Sequence, residues 1–337
     1  MMHPQRYEYV DLAKGICISL VVLFHVFRAC MIGRDFENTP YLSFLMNNLI
    51  ASFRMPFYFF LSGLFYKQYI GKFTFIRKKV NRLLIPFLFF FFVTIICRNF
   101  VEYAINPSYS LKTFVFDVIH LKPNTPIWFL LCLFNLNVVF YLIEKYINHD
   151  TCFAIIILFL CYGGFFLQKR GINDTIFLLS AFKYSPFFYG GYWVRKKTNW
   201  LKKTFHNKDW ITMFCMMCVL FLNSYIKEKC ILENQIIIIE IIQWLLGGSM
   251  GTLSMLLLAK SLNKLPIFSF IGRYSIIVLC THLIILRLLF QIFIYTPNPP
   301  LLGKIIIEWL LVILISYPVI IFCKKYLPHV TAQKDLF

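Results

Sequence analysis

Charged side chains are scarce in this chain of 337 residues, where Asp, Glu, Lys and Arg together make up 15%. A soluble domain carries about 25%. Acidic residues are the rarest of them, with 15 Asp and Glu against 34 Lys and Arg, which gives a net charge of +19. Hydrophobic residues reach 59%, and the mean hydropathy is +0.70. This composition excludes an ordinary soluble protein and indicates a polytopic membrane protein.

Several recognisable modules are absent from the sequence. The basic residues form no helix interleaved with stacking aromatics, so we expect no nucleic-acid partner. The eleven cysteines form no disulfide framework, and the Cys215-x-x-Cys218 pair lies in a Met- and Phe-rich run that favours packing over redox chemistry. No metal-ligand cluster is visible, so we expect no metal. The first apolar run has no small-residue cleavage site and is predicted to stay as a helix.

Ten apolar runs are long enough to be membrane spans, which need about 20 residues each. The fifth is short, and Lys183, Pro186 and a glycine pair interrupt the sixth. The predicted fold is therefore all-α, with one integral-membrane domain at 8–326 and a short tail at 327–337. The predicted spans are 12–31, 46–66, 83–101, 126–144, 152–168, 174–194, 210–226, 236–259, 267–291 and 303–323.

The distribution of cations predicts the orientation of these spans. The two most basic connections, 67–82 and 195–208, both follow even-numbered spans and so lie on the same side of the membrane. Lys and Arg concentrate in cytoplasmic loops, which places both chain termini and the tail in the cytoplasm. The longest connection, 102–125, then lies on the outer side.

The first span contains the most informative pair of residues, Lys14 and His25. Eleven residues at about 100° each return to nearly the same helix face, about 16 Å further along the axis. Ionisable groups inside a membrane are usually functional. The spacing predicts that Lys14 binds an anion and that His25 is a general base or an acyl acceptor. Asp11 lies one turn before Lys14, close enough to orient the Lys14 ammonium or to alter its electrostatic environment. Alternatively, the Lys14 side chain extends to the lipid headgroups and His25 forms a hydrogen bond to a neighbouring helix.

Two further segments combine cations with helix irregularities. Arg54 begins an aromatic stretch that ends in Ser62-Gly63. The small side chains of this pair allow either close helix packing or the close approach of a ligand. Lys79 and Arg82 lie on one helix face before Pro86, which is predicted to interrupt the helix just inside the bilayer. Cations at a broken helix can bind phosphates, although part of this cluster is a topology signal.

Two later segments carry candidate residues of lower specificity. Trp128 begins the fourth span at the outer surface, where tryptophan ordinarily belongs to the interfacial belt. Ser275 and His282 lie two turns apart on one face of the ninth span. For His282 alone, packing and function are equally compatible with the pattern.

Taken in order, these segments resemble the acyltransferase-3 family of integral membrane acyltransferases over nearly the whole chain. Two positions depart from the family pattern: Lys79 stands where a second arginine is common, and Leu279 where a tyrosine is usual. The features that carry the resemblance are Asp11, Leu12, Lys14 and Gly15 with His25; the stretch Phe57–Gly63; Lys79, Arg82 and Pro86; the run Pro126–Leu130; the stretch Pro186–Tyr192; and Gly272, Ser275 and His282.

The resemblance implies transfer of an acyl group, usually acetyl from cytoplasmic acetyl-CoA, to a sugar hydroxyl of a surface polysaccharide or its lipid-linked precursor. The protein would be a multi-pass enzyme of the bacterial inner membrane, with acyl-CoA, the acceptor glycan and membrane lipids as partners. The resemblance also distributes roles among the candidate residues. It implies His25, Asp11 and Arg54 as catalytic residues; Lys14, Lys79, Arg82, Ser62 and Gly63 as donor-binding residues; and Trp128, Ser275 and His282 as substrate-binding residues.

Alternatives remain at this stage. A flippase for a lipid-linked glycan would suit Lys183 and the Gly/Pro breaks in the sixth span. A glycan polymerase or ligase would be expected to carry its functional residues on large outer loops, and a structural subunit has no use for these intramembrane cations. Direct transfer to the acceptor and covalent relay through His25 both stay open, as do longer or dicarboxylic acyl groups.

Overall fold

A computed structural model describes residues 7–32, 39–67, 71–105, 127–147, 149–229, 236–293 and 300–336. These residues form an all-helical bundle without a strand, which confirms the predicted fold class. The predicted outer connection at 102–125, from residue 106 onward, and Pro126 lie outside the described residues. The helices are α1 Glu8–Cys30, α2 Pro40–Ser43, α3 Ala51–Leu64, α4 Lys72–Lys79, α5 Ile85–Ile105, α6 Trp128–Tyr146, α7 Asp150–Lys169, α8 Leu178–Lys197, α9 Asn207–Lys229, α10 Ile237–Leu262, α11 Pro266–Arg273, α12 Ser275–Phe293 and α13 Leu301–Tyr326.

Every predicted span coincides with a helix, but fewer helices are apolar enough to cross a membrane by themselves. Among the described residues, seven helices are long and apolar enough, or eight if α11 and α12, which meet at a 97° bend, form one span. The second and sixth predicted spans correspond to α3 and α8, which are not among these. Both helices contain a proline and basic side chains. The span count of ten and the cytoplasmic termini stay predictions.

Two π-helical segments adjoin the helices. Phe44–Ile50 precedes α3, and Val80–Leu84 joins α4 to α5. The sequence predicted that Pro86 interrupts the helix, and this is wrong. A π-helical turn precedes the proline, and the chain then continues as an α-helix. Proline has no backbone N–H to donate, and a wider turn accommodates the missing hydrogen bond. Arg82 lies within this turn.

Helix α1 occupies the centre of the bundle, where it packs against α3, α10, α11, α12 and α13. Its most apolar window is 61% buried, whereas that of α9 is 17% buried. Helix α9 lies at the periphery of the bundle and exposes apolar side chains, among them Phe214, Phe221 and Leu222. The central position of α1 explains how Lys14 and His25 can be lined by other helices rather than by lipid.

Close helix crossings depend on glycine at two places. A Cβ at Gly15 would overlap the carbonyl oxygen of Phe268 in α11, and a Cβ at Gly63 would overlap that of Phe188 in α8. Small residues let membrane helices approach closely in this way. Gly63 therefore brings α3 against α8, the helix that carries the basic turn after the sixth predicted span.

The residues after α13 fold back onto the start of the α4–α5 segment. Lys78 pairs with Asp335, and the backbone N–H of Leu336 donates to Oδ1 of Asn81 at 2.9 Å. Thr331 is fully buried in this segment. The tail therefore lies beside the cations of the π-helical turn.

Candidate active site

A basic cavity of about 980 Å³ lies at the end of the bundle where α1 begins and α3 and α8 end. Asp11 also lines it. The cavity contains no other acidic side chain among the residues described, so its field is strongly positive and suits a polyanionic ligand. Its cations are Lys14, Lys67, Arg195, Lys196, Lys197, Lys202 and Arg273.

A smaller cavity of about 180 Å³ adjoins the basic one, and Lys14 and Phe65 line both. The Lys14 ammonium lies 3.5 Å from the centre of the Phe65 ring, a cation–π contact that fixes it at the junction. This cavity brings together five residues that the sequence singled out on four separate helical segments. They are Lys14, Ser62, Lys79, Arg82 and Ser275.

His25 lies deeper in the bundle, next to His282. Their ring centroids are 5.3 Å apart and their planes are inclined by 50°. The Nδ1 atom of His282 lies 2.9 Å from the carbonyl oxygen of Val278. A carbonyl only accepts, so Nδ1 carries a proton, and in the neutral ring Nε2 keeps a lone pair. That Nε2 is buried without a hydrogen-bond partner among the described residues.

Arg54 joins the histidine pair from α3. Its guanidinium lies 3.3 Å from the centre of the Phe24 ring, and Phe24 is adjacent to His25 in sequence and contacts it edge-on at 5.9 Å. Nε and Nη1 of Arg54 are buried and have no hydrogen-bond partner in the described structure. Buried donors without partners are costly, and a substrate oxygen is the kind of group that would satisfy them.

Three predicted site residues lie away from the histidine pair. Asp11 lines the basic cavity, about 21 Å from His25 along α1 at 1.5 Å per residue, so it can act on Lys14 but not on atoms at His25. Gly63 packs against the backbone of Phe188 and is not among the cavity-lining residues. Trp128 lines a separate pocket with Phe177 and Tyr184.

One set of cavity-lining cations was not predicted as part of the site, because in the sequence they served only to orient the spans. The last turn of α8 contributes Arg195, Lys196 and Lys197 to the basic cavity, and the segment after it contributes Lys202. Lys and Arg in a loop always satisfy the positive-inside pattern, so their number alone does not reveal a ligand site. Phe65, directly after α3, was also missed, because aromatic residues are common in membrane segments and do not by themselves indicate a site.

The family model described as an acyltransferase domain, acyltransferase-3, matches residues 7–324, which is nearly the whole chain. Searches against curated proteins and against solved structures find no match. The matched region includes all three cavities and the His25–His282 pair, and the multiple apolar helices agree with a multi-pass membrane protein. The chain belongs to the acyltransferase-3 family and is a membrane acyltransferase.

Proposed function

We propose that the protein transfers an acyl group, in the first place acetyl, from cytoplasmic acyl-CoA to a hydroxyl of a surface polysaccharide or of its lipid-linked precursor. The bacterial inner membrane is the corresponding location, because the donor is made on one side and the glycan is displayed on the other. The family supplies the acyltransferase activity. The donor, the acceptor and the location are inferences from the site.

The basic cavity fits the donor because coenzyme A carries several phosphates at one end. Lys67, Lys202 and Arg273 line the wide part of the cavity, and Lys14 stands at its inner limit. Lys79 and Arg82 add two cations in the adjoining cavity. Cations bind phosphate by charge-assisted hydrogen bonds. The residues present therefore suit a phosphate-bearing donor with its anionic end in this region.

One observation carries the proposal: Lys14 lines both cavities, and His25 follows it on α1 about 16 Å further along the axis. A ligand anchored by phosphates at Lys14 would need an extended arm to place its reactive end near His25. Acyl-CoA has that form. A compact anion would not require this separation between the cation and the imidazole.

The chemistry near His25 follows from the residues that surround it. A bound acyl thioester supplies an activated carbonyl. His25 takes the proton of the attacking hydroxyl and, when the new C–O bond has formed and the C–S bond breaks, gives that proton to the leaving sulfur. Arg54 directs its partnerless N–H groups at the oxygen that gains negative charge. Ser62 and Ser275 line the smaller cavity together with Lys14.

The test uses full-length protein in lipid nanodiscs. Acetyl-CoA binding is measured by calorimetry, and turnover is measured as release of CoA thiol. Wild type is compared with Arg82→Ala, His25→Ala and, as a matched control, Lys208→Ala, which removes an exposed cation outside both cavities. We expect weaker binding for Arg82→Ala, normal binding without turnover for His25→Ala, and no change for Lys208→Ala.

Two results would overturn the proposal. Wild type that does not bind acetyl-CoA, succinyl-CoA or a longer acyl-CoA would exclude the donor class. A folded His25→Ala protein with full thiol release would exclude His25 from the reaction. Labelled acetyl groups recovered on the sugar of a lipid-linked glycan, in contrast, would identify the acceptor as well.

A further inference from the structure

A third cavity, of about 280 Å³, lies at the opposite end of the bundle from the basic one. Helix α8 connects the two ends: Lys183 near its start lines this pocket, and Lys196 near its finish lines the basic cavity. Thirteen residues separate them, about 20 Å at 1.5 Å per residue. A volume near 300 Å³ is at the lower limit for small-molecule pockets, so this pocket accommodates one ring rather than an oligosaccharide.

Three aromatic rings form the wall of the pocket. The Trp128 ring lies 5.8 Å from Phe177 and 6.1 Å from Tyr184, inclined by 37° and 35°. Tyr184 is fixed from behind, where it stacks on Phe59 at 4.4 Å and 13°. Aromatic rings that line one wall of a pocket suit a flat ligand with an apolar face.

The backbone at Phe177 is strained. Its φ is +58°, in the left-handed region that non-glycine residues rarely adopt. Such strain costs about 1–3 kcal/mol and clusters at ligand-binding sites. Here it holds the Phe177 ring against Trp128, although a glycine at this position would remove the strain. The strain is an observation independent of the pocket itself and points to the same place.

Polar groups line the other edge of the pocket. Ser180 donates to Asp174 at 2.6 Å, and Gln168 donates to Ser180 at 3.3 Å, so a fixed network holds both side chains. Lys183 also lines the pocket, and its ammonium lies 4.0 Å from the centre of the Phe165 ring. Glu240 acts on Lys183 electrostatically, but Glu240 itself pairs with Lys169 at 3.8 Å.

The pocket is connected to the catalytic region through Tyr184. Tyr184 and Arg54 interact electrostatically, and Arg54 lies over Phe24 beside His25. Tyr184 lines the pocket, so a ligand held there lies beside a residue that interacts with Arg54.

We propose that this pocket binds one pyranose unit of the acceptor, with its C–H face on Trp128 and Phe177 and its oxygen-bearing edge at Lys183, Gln168 and Ser180. This inference rests on the proposed acyl transfer and assigns the site that delivers the attacking hydroxyl. A pyranose has both parts that the pocket requires, an apolar face and a rim of oxygens. The Lys183 ammonium can donate to a hydroxyl or pair with a sugar carboxylate, and both are oxygens at the ring edge.

The experiment uses full-length protein in nanodiscs with two membrane-compatible probes, octyl β-glucoside and octyl β-glucuronide. The initial rate of CoA thiol release from acetyl-CoA is measured against probe concentration. Phe177→Gly removes the ring while relieving the backbone strain, so it is expected to fold. Lys183→Met removes the ammonium at similar length, and Trp210→Ala is a matched control at an exposed tryptophan.

We expect the glycosides to stimulate thiol release and Phe177→Gly to raise KM for the glycoside about tenfold, equivalent to about 1.4 kcal/mol, with the Kd for acetyl-CoA unchanged. Loss of a preference for the glucuronide in Lys183→Met would identify a carboxylate as its partner. An equal KM effect on both probes would identify a hydroxyl. Trp210→Ala should behave as wild type.

The inference is overturned if protein that binds and turns over acetyl-CoA is not stimulated by either glycoside, or if Phe177→Gly and Lys183→Met keep the wild-type KM. Failure of the proposed function looks different, because then wild type does not bind or cleave acetyl-CoA at all. The two failures are therefore distinguishable within one data set.

Discussion

The imidazole rings of His25 and His282 face each other with centroids 5.3 Å apart, although 257 positions separate them in the sequence. The Val278 carbonyl accepts the Nδ1 proton of His282 at 2.9 Å. That bond fixes the tautomer and orientation of His282, whose side chain is fully buried. A fixed ring next to His25 restricts how the His25 ring can turn.

Substitution of the two histidines should separate their roles. His25→Ala is expected to lower kcat by about 100- to 10,000-fold, the range for loss of a general base. His282→Gln is expected to lower kcat by about fivefold, because a positioning hydrogen bond contributes about 1 kcal/mol. Neither should change the Kd for acetyl-CoA. Thiol release and calorimetry measure the two quantities.

His206→Ala is the control for this pair, since His206 is exposed and its Nδ1 lies 2.9 Å from the carbonyl oxygen of Thr204. A His282→Gln variant as inactive as His25→Ala would show that His282 itself takes part in proton transfer. Full activity in His25→Ala with normal insertion would contradict the mechanism.

Arg54 should be required for turnover and not for donor binding. Arg54→Met is expected to lower kcat by about 100- to 1,000-fold, as removal of one oxyanion donor does. The Kd for acetyl-CoA should stay constant because the donor phosphates bind at the other end. Arg170→Met is a matched control, an arginine 5.2 Å from a phenylalanine ring outside the three cavities. A rise in Kd without a change in kcat would instead assign Arg54 to donor binding.

The basic cavity should recognise phosphate groups. Lys67→Met and Lys202→Met are each expected to weaken acetyl-CoA binding by about tenfold, because a hydrogen bond to a charged group contributes about 1.5–3 kcal/mol. Salt should weaken wild-type binding and have less effect on the variants. With dephospho-CoA, which lacks one phosphate, the difference in binding affinity between wild type and the variants should be smaller. Equal affinities for wild type and both variants would place the phosphates elsewhere.

The central helix was largely predictable from the sequence. The hydropathy of α1, the spacing of Lys14 and His25, and the order of the family features are all local properties of the chain. They correctly predicted an all-helical membrane protein of the acyltransferase-3 family. The resemblance grouped Lys14, Ser62 and Arg82 as donor-binding residues, and the structure places them at one cavity together with Ser275, which had been assigned to the substrate.

Tertiary relationships account for what the sequence did not indicate. The sequence predicted spans at 46–66 and 174–194, but the helices found there, α3 and α8, are not among those long and apolar enough to cross a membrane by themselves. The pairing of His25 with His282 depends on how α12 packs against α1, and no local pattern encodes that approach. The predicted break at Pro86 is likewise replaced by a π-helical turn before the proline. This wider turn accommodates the proline without ending the helix.

Gly63 offers a test that separates packing from donor binding. Gly63→Ala is expected to lower the unfolding free energy by about 1–3 kcal/mol, the cost of overpacking, since its Cβ would overlap the Phe188 carbonyl oxygen. Gly163→Ala, where a Cβ would meet nothing within 4 Å, should be neutral or slightly stabilising. Thermal unfolding in detergent measures both. A Gly63→Ala protein that has wild-type stability but no longer binds acetyl-CoA would show that Gly63 belongs to the donor-binding site.

The ion pair between Lys78 and Asp335 should make docking of the tail depend on pH. The Lys78 ammonium, with Arg82 and Arg77 nearby, holds the pKa of the Asp335 carboxyl below its ordinary value. A carboxyl whose pKa is depressed in the folded state contributes above its unfolded pKa, near 3.9, and the contribution is lost as the pH falls through the depressed value. The tail should therefore be docked at neutral pH and released only in strong acid.

Asp335→Asn should reproduce that acid release at pH 7, because it removes the charge while keeping the size of the side chain. Hydrogen exchange of the segment 327–336 is the measurement, corrected for the intrinsic rate at each pH. The amide of Leu336, bonded to Asn81 at 2.9 Å, should exchange faster in the variant. Glu228→Gln, a change at an acidic residue on α9 with no described contact to the tail, is the control. Equal protection in wild type and Asp335→Asn at pH 7 would show that Thr331 and its apolar surroundings hold the tail without the ion pair.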